Sequence, residues 1–135
     1  MTSDRLTQVL GSNPVTTMLF ILTSICAGVC GQLVLKYGMT QLGAQTISSG
    51  NLLSLVTRLA FSPWVLLGLT IYAAGTFFWL MVLSRVDLSF AYPMTSMSYV
   101  LIIGSSWMFL GESISLLRIA GVLTVVTGVI LISQS

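Results

Sequence analysis

Gln32 and Lys36 stand four residues apart in the stretch VCGQLVLK, residues 29–36, at the far end of a long apolar run. On a helix that spacing puts both on one face, with Gly28 one turn further in. An amide and an ammonium so placed can hydrogen-bond and neutralise an anion. The structural alternative is an ion pair, with Lys36 stretching its alkyl stem toward an interface. A second polar group, SFAYPMTSMSYV at residues 89–100, opens a later apolar run. Tyr92, Ser96 and Tyr99 recur there at i, i+4 and i+7 with Thr95 beside them, so one stripe carries hydroxyls and aromatic rings. Such a stripe either bonds neighbouring helices, at ~0.6–2 kcal/mol per bond, or lines a cavity for a polar solute.

The elements that must hold these residues follow from composition. Of 135 residues, 56% are hydrophobic and 6% charged, and the mean hydropathy is +1.02. That is the composition of an integral membrane protein. Four apolar runs, about 14–38, 63–84, 88–110 and 115–133, each approach the ~20 residues a helix needs to cross the hydrocarbon. Lipid offers no partner to backbone N–H and C=O groups, so each run is predicted to be a helix. The expected fold is all-α: one domain of four transmembrane helices over residues 1–135, preceded by a short polar tail. The first run is too long and glycine-punctuated for a signal-peptide core and is read as retained. Between the first two runs, residues 51–61 carry apolar residues at Leu52, Leu55, Val56, Leu59 and Ala60, with Asn51 as the helix cap. This predicts a short amphipathic helix in the membrane interface, anchored by Arg58 and followed by Trp64 at headgroup depth.

Gly68 and Gly75 in the second run, and Gly121 and Gly128 in the fourth, share a seven-residue spacing that lines small residues along one seam. Together with Gly31 they are predicted to pack helices. Trp79 and Trp107 are assigned to packing or the interface, and Cys26 and Cys30 to apolar packing rather than a disulfide.

Depth then sorts the charges. Asp4, Asp87 and Glu112 are the acids, all at or beyond the ends of runs, and the chain has no histidine. Proton exchange on a mid-membrane carboxylate is therefore disfavoured. Counting runs brings Glu112 to the side of Lys36, where the two can pair. Arg5 and Arg85 fall on one side and Lys36, Arg58 and Arg118 on the other, a near balance that leaves orientation open. A net charge of +2 and so little chain outside the membrane leave no nucleic-acid surface. No nucleophile, base and orienting group converge, so no catalysis is expected, and the residues call for no metal and no cofactor.

GVCGQLVLKYG, SFAYPMTSMSYV and FLGESISLLRIAGVLTVVTGVILIS together resemble the short four-helix members of the drug/metabolite transporter superfamily. The last stretch is similar to the closing signature of EamA-type domains. Within the superfamily the likeness is nearest to the small subunits of the aminoarabinose-phosphoundecaprenol flippase, where a G-Q-x-x-x-K run ends the first helix and an A-Y-P-M run opens the third. The segment at residues 39–62 is longer than in those subunits. In the related small multidrug resistance proteins a glutamate stands where this chain has Gly28, so their drug-and-proton site does not carry over. The resemblance implies a multi-pass protein of the bacterial inner membrane that flips a polyprenyl-phosphate-linked sugar or similar anionic lipid, as a homodimer or as a heterodimer with a related four-helix subunit. On that reading Lys36 and Gln32 take the phosphate, Tyr92, Thr95, Ser96 and Tyr99 the headgroup, and Glu112 holds or releases Lys36. The rival readings are a cation or metabolite exporter and a non-transporting accessory subunit.

Overall fold

The computed structural model describes residues 13–44, 46, 48 and 50–134, the last-but-one turn residue Ser133 by its backbone alone. The polar tail with Asp4 and Arg5 lies outside the described residues. Among those described the chain is helical with no strand: α1 (Pro14–Leu42), α2 (Leu52–Phe61), α3 (Pro63–Leu83), α4 (Leu88–Thr95), α5 (Ser98–Leu110) and α6 (Leu116–Gln134).

Local chemistry sets most of the boundaries. Pro14 and Pro63 occupy first-turn positions, where the missing N–H is not needed and the ring presets φ. Ser62 caps α3 by accepting from Val65 N–H at 3.5 Å. Asn51 stands at the cap position of α2 but its side chain makes no cap bond; its carbonyl accepts from Leu55 N–H instead. α1 runs to Leu42, one turn beyond the end anticipated at Gly38. Two glycines compete for the role of stop, and the one with left-handed backbone is Gly43, at φ 78°. Gly38 instead lets α3 come close, since a Cβ there would lie 2.9 Å from Trp64 Cβ.

The third predicted helix is broken. Pro93 has no N–H to continue the ladder, and the next residues tighten into i→i−3 bonds: Ser96 to Pro93 O, Met97 to Met94 O and Tyr99 to Ser96 O. α4 therefore ends at Thr95 and α5 starts at Ser98.

α1 and α3 form the antiparallel pair on which the rest is built. Arg85, just past α3, sits 5.0 Å over the Phe20 ring near the start of α1. At the other end Tyr37 meets Trp64 edge-on at 5.0 Å. Between them the backbones nearly touch. A Cβ on Gly31 would be 2.8 Å from Tyr72 N, one on Gly68 2.8 Å from Leu35 N, and one on Gly75 3.0 Å from Gly28 N. Ser24 Oγ donates across the seam to Gly75 O at 3.0 Å. The apolar core of Ile21, Ile25, Val29, Val82, Val86 and Ala91 fills the Arg85 end.

Gly121 and Gly128 differ from this pattern: a Cβ on either meets none of the described residues within 4 Å. Among the described residues, then, the glycines of α3 face α1 closely while those of α6 face no close neighbour, and α6 packs chiefly on α4. Leu116 and Leu117 on α6 are 85% and 83% exposed, and Val129 is its buried residue among those described. Cys26 and Cys30 are free and exposed rather than packed inside. By length and apolarity α1 and α3 suffice to cross a membrane; α2 and the Leu116–Ile132 stretch of α6 are shorter apolar helices. So much exposed apolar surface requires lipid or another helix as cover.

Candidate functional site

Four adjoining cavities follow the inner face of α1, linked by the two residues that interrupt its apolar sequence. The first, about 230 Å³, is walled by Ser24 and Gly28 of α1, Tyr72, Thr76 and Trp79 of α3, and Tyr92 and Thr95 of α4. The second, about 670 Å³, adds Ser96 and Tyr99 across the helix break and reaches Val125 and Gly128 of α6. The third, about 250 Å³, runs between Lys36, Ser106 and Glu112. A fourth, about 400 Å³, opens beyond Lys36 past Tyr37 and Thr40. Gln32 lines the first three, and Lys36 the last two.

Each predicted residue has a definite place. Tyr92, Thr95, Ser96 and Tyr99 all reach the second cavity, although they no longer share one continuous helix. The tight turn after Pro93 keeps their side chains on one side. Lys36 Nζ lies 3.5 Å from Glu112 Oε1, with the two side chains 58% and 39% exposed. At that separation and exposure the contact is an ion pair of small strength, about 0–1 kcal/mol if water-bathed. Its partner is delivered by a special backbone. Gly111 closes α5 with φ 66°, and the N–H groups of Gly111 and Glu112 both turn back to Ser106 O. That reversal carries the Glu112 carboxylate to α1.

Several wall residues escaped the sequence reading. Trp79, assigned there to packing or the interface, meets Tyr92 edge-on at 5.9 Å and lines the first cavity. Trp107, with the same assignment, is 62% exposed. Tyr72, Thr76 and Ser24 also face the first cavity; a hydroxyl near a seam glycine, as in Ser24 opposite Gly75, is the signal that could have flagged them. Thr76 Oγ1 donates to Tyr72 O at 3.0 Å and Thr95 Oγ1 to Tyr92 O at 2.6 Å, so both hydroxyls keep lone pairs for a guest. No group of three or more metal-ligating side chains occurs among the described residues.

An apolar all-helical chain with a polar, cavity-lined interior is a membrane protein of the transporter class. Residues 57–134 match the EamA-like transporter family, and the chain belongs to that family. An Erwinia tasmaniensis protein named a probable 4-amino-4-deoxy-L-arabinose-phosphoundecaprenol flippase subunit ArnF is 36% identical over 85% of this chain and 92% of its own length. A protein from Aeromonas salmonicida, named a probable ArnE subunit of the same flippase, is 30% identical over 84% and 95%. A Pseudomonas aeruginosa ArnE is 35% identical over 55% of this chain, and the match spans 64% of its length. No solved structure matches the chain.

Proposed function

We propose that the chain carries an anionic, lipid-linked headgroup, a polyprenyl-phosphate-linked sugar or close analogue, from one leaflet of the bacterial inner membrane to the other. The observation that supports this best is the run of cavities joined at Gln32 and continued past Lys36. A phosphate drawn to Lys36 displaces Glu112 from an ion pair weak enough to exchange, while the sugar lies among hydroxyls and rings and the prenyl tail stays in lipid. No coupling ion is assigned, so movement follows the substrate gradient.

Four crossings serve this role: α1, α3, the broken α4–α5 pair and α6. The nineteen residues of α6 span about 28 Å at 1.5 Å each, close to the hydrocarbon thickness. α6 covers one wall of the second cavity, packs on α4, and exposes Leu116, Leu117, Leu123 and Leu131, which favours a dimer closed through this helix, with a second copy or a related subunit.

The test is transbilayer movement of a fluorescent polyprenyl-phosphate sugar in liposomes holding the purified protein, followed by its accessibility to an external quencher. Movement should be lost in Lys36→Ala and partly kept in Lys36→Arg. Full movement by a well-folded Lys36→Ala protein returns Lys36 to a structural ion pair and removes the proposal.

A further inference from the structure

We infer that the opening between α5 and α6 is the portal through which the apolar tail of the substrate reaches lipid, with its first isoprene units lying along α6. This subsite rests on the reading of Lys36 as the phosphate site, and it adds where the other substituent of that phosphate goes.

Helix packing leaves the opening. α5 and α6 follow one another across residues 111–115, yet α6 packs chiefly on α4, and among the described residues its contact with α5 is slight. The second cavity, about 670 Å³, occupies the space so left. Tyr99 on α5 and Val125 and Ile132 on α6 stay exposed along it. That volume equals about 22 waters at ~30 Å³ each, well beyond the size of one sugar ring.

The two sides of this cavity differ in chemistry. Toward α1 and the break after Pro93 the walls include Gln32, Tyr92, Thr95, Ser96 and Tyr99, all with polar side-chain atoms. Toward α6 they are Val125, Gly128, Val129 and Ile132, with none. An amphiphile fits such a cleft in one sense, its hydroxyls on the side that offers partners and its chain on the side that offers only carbon. Gly128 is the low point of the apolar wall. A Cβ there would meet none of the described residues within 4 Å, and its absence leaves a notch between Val125 and Ile132, one turn to either side, for a methyl branch.

Continuity with the phosphate site fixes the occupant. Gln32 and Ile102 line both the second cavity and the third, where Lys36 and Glu112 meet. Gln32 is one helical turn, about 6 Å, from Lys36 along α1. The tail is bonded to the phosphate, so a phosphate on Lys36 delivers the first tail carbons to that junction. The other ways out are worse for hydrocarbon. The first cavity backs onto the α1–α3 seam, closed where Gly75 meets Gly28. The fourth leads past Thr40 to the end of α1. Dimerisation through α6 leaves the portal free, because Leu123 stands about 160° and Leu116 about 180° round the helix from Val125.

Photolabelling of the purified full chain in detergent tests this, with a geranyl phosphate that carries a diazirine on its second isoprene unit and mass spectrometry to locate the label. The label should concentrate on Ile102, Val125, Val129 and Ile132, be displaced by excess geranyl phosphate, and fall at least fivefold in Lys36→Ala. Gly128→Leu fills the notch and should weaken geranyl phosphate binding at least fivefold relative to Gly104→Leu, where a Cβ also meets none of the described residues but lies outside the cavity wall. Displaceable, Lys36-dependent label on the outer faces of α1 or α3 instead would overturn the portal and leave the phosphate reading standing. Equal binding by the two folded leucine variants would do the same. Label that excess geranyl phosphate does not displace, or that Lys36→Ala does not reduce, removes the phosphate reading and the portal with it.

Discussion

Replacing Gly31 by alanine tests the close approach of α1 and α3 on which the cavities depend. The new Cβ would stand 2.8 Å from Tyr72 N and 3.0 Å from Gly68 O, both backbone atoms that cannot swing aside. To restore a 3.4 Å contact the helices must part by roughly 0.6 Å, which also loosens Gly68 on Leu35 and Gly75 on Gly28. Overpacking of this kind costs about 1–3 kcal/mol. Against it stands the intrinsic preference of a helix for alanine over glycine, about 1 kcal/mol. Gly104, inside α5, provides the control, since a Cβ there meets nothing within 4 Å and receives the preference alone. The preference cancels between the two variants, so their stabilities should differ by the steric term, about 1–3 kcal/mol. Unfolding by sodium dodecyl sulfate in mixed micelles, read by far-UV circular dichroism, measures that difference. Equal stabilities for Gly31→Ala and Gly104→Ala would refute the backbone contact and the α1–α3 geometry with it.

Three further substitutions probe the other elements. Gly111→Ala forces a Cβ into left-handed backbone and should cost about 1–2 kcal/mol in the same unfolding assay, with Gly111→Asn costing less; an unchanged alanine variant would contradict the turn that positions Glu112. In a background with Cys26 and Cys30 replaced by serine, Leu123→Cys on exposed α6 should form a disulfide-linked dimer in native membranes under mild oxidation, and a purely monomeric gel would rule out self-association through that helix. A nitroxide at Val56 should collide more with oxygen than with a water-soluble nickel chelate, and one at Arg58 the reverse; the same preference at both positions would remove α2 from the interface.

Individual residues show how far the sequence could be read. The pairing of Lys36 with Glu112 was accessible because an apolar run has a countable length, and counting alone places the ends of two helices side by side. The convergence of Tyr92, Thr95, Ser96 and Tyr99 was accessible as a stripe. Its break after Pro93 was not, because proline is compatible with a bend, an opening or a stop, and the choice depends on what packs there. Gly38 and Gly43 show the same limit, since nothing in a single glycine says whether it will be needed for positive φ or for a neighbour's closeness.

Composition and local order by themselves determined that this is an apolar, helical membrane protein, kept Asp87 and Glu112 at helix ends, and put an amide and an ammonium, Gln32 and Lys36, on one helix face. These are consequences of transfer from water to lipid, a property each segment carries alone. The tertiary structure decided which glycines touch backbone, that a Cβ on Gly121 or Gly128 would meet none of the described residues within 4 Å, that Trp79 turns its ring to a cavity, and that separate hollows meet at Gln32. Those depend on which helix lies opposite which, and a residue such as Gly68 gains its meaning only from Leu35, remote in the chain and in van der Waals contact with it.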